Sequence, residues 1–216
     1  MDHFSNTTRE VAQNGRRGAL MLTMDIAHPD IEEFVTIKQD LTKITGANIS
    51  LRLSDEFMIA VVNDDDYMLR WPIDSKKPKY TKIIKAKELW NTIIKCAHNT
   101  AEPGLIFWDR QHYYSTSSIY PDFKNSSTNP CSEIILRDKQ FCNLTEVVVR
   151  ATDTVDDLAR KVRLATILGT IQSTYTKFPY LRKVWQRNTE EERLLGLSLT
   201  GIMDNPLMTT KNKGLN

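Results

Sequence analysis

Apolar residues recur along this chain with two periods. Leu20, Leu22, Met24 and Ile26 alternate with Met21, Thr23 and Asp25, a period of two that predicts a strand. Pro29 then suits the first turn of a helix carrying Ile31, Phe34 and Val35 on one face. Ile49, Leu51 and Leu53 alternate again, and Ser54 is placed to cap a short helix through Val62. Leu89, Trp90, Ile93, Ile94 and Ala97 return at helical spacing up to a stop at Glu102-Pro103-Gly104, after which residues 105–108 predict a short apolar strand. Residues 144–149 are rich in β-branched side chains and predict a strand. Val155, Leu158, Val162, Ala165, Leu168, Ile171 and Tyr175 then mark a long amphipathic helix ended by Pro179. Thr189 with Glu190, Glu191 and Glu192 reads as the start of a further short helix, its carboxylates at the positive end, and residues 195–202 predict a buried strand. Strands alternating with helices predict an α/β fold on a largely parallel sheet.

The segments between carry no period. Residues 7–14 are polar and lead into Asn14-Gly15-Arg16-Arg17-Gly18, a loop whose glycines can take positive φ. Residues 63–86, with two prolines and a lysine cluster, read as a surface excursion, and residues 109–129 as one long loop of the kind that is functional or disordered. With 216 residues, 40% hydrophobic and 26% charged, the chain suits one domain, or part of one, with a sizeable core. Lys and Arg number 29 against 27 Asp and Glu, and a net charge of +2 argues against a nucleic-acid partner. No apolar run approaches the roughly 18 residues of a membrane span and no export signal opens the chain, so no membrane partner and a cytoplasmic location are expected. Three cysteines, Cys96, Cys131 and Cys142, are too few for a disulfide framework and have no histidine at zinc-ligand spacing, so no metal site is expected. Cys96 falls on the apolar face of its helix and reads as core.

The densest chemistry lies in Asn129-Pro130-Cys131-Ser132-Glu133, with Cys142 eleven positions after Cys131. If that segment is extended, an amide, a thiol and a carboxylate at alternate positions project from one face. Pro130 removes a backbone donor and stiffens it. The residues alone leave the matter open: Asn-Pro is a common turn, a glutamate is usually solvated, and a lone cysteine is usually a small buried hydrophobe. A thiol nucleophile would want a histidine, and His3, His28, His98 and His112 show no sequence link to Cys131.

The Asn-x-Cys-x-Glu string, within NPCSEIILRDKQFCNLTEVVVR, resembles the finger loop of the large catalytic subunit of ribonucleotide reductases. NGRRGALMLTMDIAHPDIEEFVTIKQ, TGANISLRLSDEFM, EPGLIF and TEEERLLGLSLTGIMD resemble successive blocks of the same family in the same order, so the resemblance covers nearly the whole chain. It implies that residues 1–216 are part of the family's ten-stranded α/β barrel. Within it, residues 1–28 would supply the specificity loop and a strand, residues 109–143 the loop with the radical cysteine, and residues 144–216 a strand-helix-strand unit. The short interval from Cys131 to Cys142, followed by Asn143 and Leu144, resembles the adenosylcobalamin-dependent class, the alternative being a radical-generating small subunit.

The implied activity is reduction of ribonucleotides to 2′-deoxyribonucleotides for DNA synthesis. By resemblance, Cys131 becomes a thiyl radical that takes the ribose 3′ hydrogen, Glu133 accepts the 3′ hydroxyl proton, and Asn129 orients the ribose hydroxyls. Cys142 is one of two reducing thiols, later reset by a thioredoxin-like reductant. Asn14, Gly15, Arg16, Arg17 and Gly18 resemble the loop that links a nucleotide effector to the substrate base, where an arginine can pair with phosphate or stack. Enzymes resembling this chain usually take triphosphates, which suggests a thioredoxin-dependent ribonucleoside-triphosphate reductase. The second reducing thiol and the phosphate-binding loop have no counterpart here. The chain is therefore expected to be inactive alone and to work with companion fragments; the competing expectation is a non-catalytic remnant that binds nucleotide or a partner.

Overall fold

The computed structural model describes residues 1–11, 15–16 and 18–209, and the chain divides into two compact units, Met1–Arg137 and Asp138–Asn216. The first opens with a helix that periodicity did not predict, α1 (Asp2–Glu10), because its sequence is almost wholly polar. Close approach holds it instead. The buried Ser5 accepts the Gly46 N–H on its Oγ at 2.8 Å, and a Cβ at Gly46 would stand 2.2 Å from the Ser5 carbonyl oxygen, a gap that only glycine fits.

β1 (Met21–Asp25), α2 (Ile31–Thr36), β2 (Asn48–Leu53) and α3 (Asp55–Asn63) then follow the predicted order. β1 and β2 pair in parallel, from Met21↔Asn48 to Asp25↔Arg52, which requires a crossover; α2 supplies it and buries Ile31, Phe34 and Val35. Ser54 caps α3 as its sequence predicts, its Oγ accepting the Phe57 N–H at 3.2 Å. Phe57 has no exposed surface and meets the Tyr67 ring edge-on, with centroids 5.1 Å apart. Truncating it to alanine would cost about 3–5 kcal/mol through the cavity left behind.

The expected excursion over residues 63–86 is instead largely an antiparallel hairpin of β3 (Asp66–Trp71) and β4 (Tyr80–Lys85). Tyr67 and Leu69 point into the core while the cross-strand pair Met68 and Ile83 is exposed. Two inward positions among charged neighbours are too short a run for a period to register. α4 (Ala86–Thr100) buries Ala86, Leu89, Ile93 and Cys96 and ends at Ala101 in the left-handed region, φ +60°. β5 (Gly104–Phe107) pairs in parallel with β2 and completes a three-stranded sheet in the order β1-β2-β5. Glu102 does more than stop a helix: it pairs with Lys38, both side chains less than a fifth exposed, and accepts the Ile49 N–H at 3.1 Å. Residues 109–129 are only partly irregular. α5 (Trp108–Tyr114), a 3-10 turn (Thr116–Ile119) and β6 (Asn125–Thr128) occupy them, followed by β7 (Ile135–Arg137). No residue of α5 is buried, so it has no apolar stripe to read.

The second unit is a parallel pair, β8 (Cys142–Val148) with β9 (Leu194–Thr200), connected through α6 (Val155–Ser173). A reciprocal cap opens α6: Thr154 Oγ1 accepts the Asp157 N–H at 3.2 Å, and Asp157 Oδ2 accepts the Thr154 N–H at 3.1 Å. The buried stripe of α6 is Ala165, Gly169 and Ser173, whereas Leu168, Ile171 and Tyr175 of the predicted face are exposed. Small residues win that face by proximity; a Cβ at Gly169 would lie 3.4 Å from Thr145 Cγ2. The helix also stops at Ser173, ahead of Pro179. α7 (Lys183–Glu192) places Glu190, Glu191 and Glu192 at its C-terminal end, opposite to the expected N-terminal start. Hydrogen bonds to Glu190 from Gln186 Nε2 at 2.8 Å and Thr176 Oγ1 at 3.1 Å offset the poor dipole position and hold its carboxyl below the usual range. β9 is only half covered, with Leu195 49% and Leu197 38% exposed, not buried as its composition suggested. A 3-10 turn (Ile202–Asp204) and α8 (Pro206–Thr209) follow, around a fully buried Asn205. The described strands form the three-stranded sheet and separate two-stranded pairs, and no closed barrel exists among the described residues.

Candidate active site

β6 and β7 pair antiparallel, with Thr128 opposite Ile135, and present residues 129–134 as their tip. The tip is built on Asn129. Its N–H donates to the Ile134 carbonyl at 3.1 Å, its carbonyl accepts the Ser132 N–H at 3.0 Å, and its Oδ1 accepts the Ile134 N–H at 3.0 Å. Pro130 takes the second position of the 129–132 turn, where its fixed φ is preorganised. Ser132 leaves the turn at φ +68°. The buried Thr128 donates its Oγ1 hydrogen to the Asn129 carbonyl at 2.9 Å, and Gln111 Nε2 on α5 donates to the Ser132 carbonyl at 3.0 Å.

The segment is therefore a turn and not an extended strand, so alternation of side chains does not describe it. Cys131 and Glu133 are both exposed on the tip, while Asn129 is half-buried and spends its amide oxygen on the hairpin. That leaves the Asn129 amide hydrogens as the groups it can offer a ligand. The hairpin's base is tied to the parallel sheet by Arg52, which donates to the Ser126 carbonyl at 3.4 Å, pairs with Asp25 at 3.5 Å and lies 5.4 Å over the Trp108 ring.

The other candidates fall elsewhere. Cys142 opens β8 in the second unit and is half-buried. Cys96 is buried in α4, and burial pushes its thiol up, away from the reactive thiolate. Of the arginine-glycine loop, Gly15 has φ +83°, and Gly15, Arg16 and Gly18 are exposed; Asn14 and Arg17 lie outside the described residues. Among the described residues no three or more His, Cys, Asp or Glu side chains gather as a metal site, and no helix is long and apolar enough to cross a membrane. Sequence reasoning missed Gln111, Thr128 and Arg52, since nothing in their spacing links them to Cys131 before the chain is folded.

The chain matches the family model described as "Ribonucleotide reductase, barrel domain" over residues 1–211. It is 35% identical over 214 residues to a vitamin B12-dependent ribonucleoside-diphosphate reductase of Thermoplasma acidophilum, covering 94% of this chain and 27% of that protein. A vitamin B12-dependent ribonucleoside-diphosphate reductase of Mycobacterium tuberculosis is 32% identical over 67% of this chain and 20% of its own length. A vitamin B12-dependent ribonucleotide reductase of Agrobacterium fabrum is 31% identical over 93% of this chain and 15% of its own length. The chain thus spans about a quarter or less of the length of these relatives. With a family match over nearly its whole length and relatives 31–35% identical to it, this chain belongs to the ribonucleotide reductase barrel-domain family.

Proposed function

We propose that the chain is the part of a ribonucleotide reductase that carries the radical cysteine, in an enzyme that makes 2′-deoxyribonucleotides for DNA synthesis. The observation that carries this reading is the exposed thiol of Cys131 on a braced hairpin turn, flanked by Asn129 and Glu133. In this reading the Cys131 thiyl radical takes the ribose C3′ hydrogen, Glu133 takes the 3′ hydroxyl proton, and the Asn129 amide donates to the ribose hydroxyls. The 2′ hydroxyl leaves as water. Two thiols, Cys142 being one, supply two electrons and two hydrogens, one to the departing water and one to C2′, and become a disulfide; Glu133 returns its proton to the 3′ oxygen and Cys131 its hydrogen to C3′, so its radical is regenerated. A thioredoxin-like reductant then reopens the disulfide.

The names of the relatives support adenosylcobalamin as cofactor, in preference to a separate radical-generating subunit. When bound, it supplies the initiating radical. The described residues offer no cluster of metal ligands, and what fits such a cofactor is the open Cys131 sulfur. Two relatives are named for diphosphate substrates, which favours a ribonucleoside diphosphate over the triphosphate suggested earlier. Gly15, Arg16 and Gly18, with Asn14 and Arg17, serve in this reading as the loop answering to a nucleotide effector. Exposed apolar residues on β8, β9 and α6, among them Leu144, Leu195 and Leu168, support a larger ten-stranded α/β barrel completed by companion segments. Residues 1–28, 109–143 and 144–216 then contribute the specificity loop, the cysteine loop and a strand-helix-strand unit.

The test is adenosylcobalamin-dependent formation of deoxyribonucleotide by this chain combined with the remaining segments of the enzyme. Turnover should require the combination, because the chain lacks a second thiol suited to pair with Cys142. Cys131→Ser should abolish it. Cys142→Ser should block reduction while leaving radical formation intact. Unchanged turnover in Cys131→Ser would remove the thiyl mechanism, and a combination that binds nucleotide without turnover would identify a remnant.

A further inference from the structure

We infer that Gln111 is a positioning residue for the Cys131 thiol, an inference that rests on the functional reading above. Gln111 sits on α5, which follows directly from β5 at the C-terminal edge of the parallel sheet. Its Nε2 donates to the Ser132 carbonyl at 3.0 Å, one residue from the thiol. Among the described residues this is the one hydrogen bond that reaches the tip from outside the hairpin, the others being made by residues 128–134 among themselves. Asn129 closes the tip on itself; Gln111 places it against the sheet.

Two further observations sharpen the assignment. A carbonyl oxygen can only accept, so the Gln111 amide must present nitrogen to Ser132, and its Oε1 is left buried without a partner. Orientation of this side chain is thus set by its bond to the tip and not by satisfaction of its own acceptor. Ser132, in turn, holds φ +68°, a backbone state that a serine keeps only when its surroundings fix it. Arg52 grips the hairpin's base through Ser126 and Gln111 grips its tip, so the hairpin is held at both ends. Such a grip suits a thiol that must meet a single carbon-bound hydrogen, where a displacement of about 1 Å can cost on the order of a hundredfold in rate.

The test compares Gln111→Glu, nearly isosteric but without the N–H donor, with Gln111→Lys, which keeps a donor. Amide hydrogen exchange is read at Ser132, Ile134 and the α4 backbone of the full 216-residue chain. Gln111→Glu should speed exchange at Ser132 and Ile134 by roughly 2- to 13-fold, the worth of one hydrogen bond, with α4 unchanged. Gln111→Lys should stay within about twofold of the parent. In the combined enzyme, Gln111→Glu should lower kcat by roughly ten- to a hundredfold with KM nearly constant, because it moves the thiol and not the ribose. Parental exchange at the tip in Gln111→Glu overturns the inference, as does faster exchange throughout α4, which would mark general destabilisation. Full turnover in Cys131→Ser, with the tip still loosened in Gln111→Glu, would sink the functional reading while leaving the brace in place. The two failures are therefore distinguishable.

Discussion

Asn205→Ala should cost the second unit about 1.5–4.5 kcal/mol, three hydrogen bonds at roughly 0.5–1.5 kcal/mol each. Asn205 has no exposed surface. Its Nδ2 donates to the Arg150 carbonyl at 2.8 Å and the Asp153 carbonyl at 2.9 Å, and its Oδ1 accepts the Leu207 N–H at 2.8 Å. Alanine leaves two carbonyls and one N–H without these partners in a site closed to bulk water. Urea denaturation followed by far-UV circular dichroism reads the loss as a lower midpoint at unchanged slope. Asn205→Asp supplies the sharper comparison: it keeps an acceptor for Leu207 but aims a carboxylate oxygen at two carbonyl oxygens. The folded state then favours the protonated form, so the introduced carboxyl has a raised folded pKa. Its destabilisation should be full at neutral pH and relieved as pH falls through that folded value. A change below about 0.5 kcal/mol in Asn205→Ala, within the range of an ordinary surface substitution, would refute the assignment of these bonds as structural.

Further outcomes follow from the same geometry. Asn129→Asp keeps the acceptor for the Ile134 N–H and removes the amide donors, so tip exchange should hold while ribonucleotide reduction falls; Asn129→Ala should lose both, with Ile134 exchange faster by about 2- to 13-fold. Equal activity in Asn129→Asp and the parent would leave the amide donors without a role. Alkylation by iodoacetamide in the folded chain should reach Cys131 at least about tenfold sooner than Cys96, since one is exposed and the other buried with its thiol pushed up. Comparable rates would contradict the burial of Cys96. The Asp153 carboxyl is held below its ordinary 3.8 by Lys161 and by the Arg150 N–H, so its contribution is present above that value and lost as pH falls through the folded pKa. Asp153→Asn should flatten the acid limb of the stability curve below about pH 4, and an unchanged limb would assign that limb to other carboxylates.

Periodicity located what burial on one continuous face dictates. β2 and α2 follow from alternation and helical spacing because each buries a whole face, β1 because Leu22 and Met24 pack half-buried against the same core, and the Ser54 cap because a cap is a local bond between residues three apart. Cys96 was legible as core for the same reason. The Asn129, Cys131 and Glu133 group was legible through its spacing and family resemblance, although not its shape: a turn closed by Asn129 replaced the extended segment, because Pro130 and the Asn129 amide favour a turn over a ladder.

Tertiary structure decided the rest. The helical face of α6 was chosen by Ala165, Gly169 and Ser173, whose small size lets the helix approach Thr145, and a hydrophobicity period cannot weigh that against Leu168 and Ile171. The glutamates of α7 carry the local signature of a helix start, yet the helix begins at Lys183 without a side-chain cap, and Glu190 near its end is held by Gln186 one turn back and by Thr176, 14 positions away. The β3–β4 hairpin escaped periodicity because it gives the core few side chains, Tyr67 and Leu69 fully and Ile84 in part. Gln111 and Arg52 lie 21 and 74 positions from the hairpin residues they hold, Ser132 and Ser126. The sequence by itself determined which residues could do chemistry. Only the fold determined what holds them, because hydrogen bonds between distant segments exist only after the chain has closed.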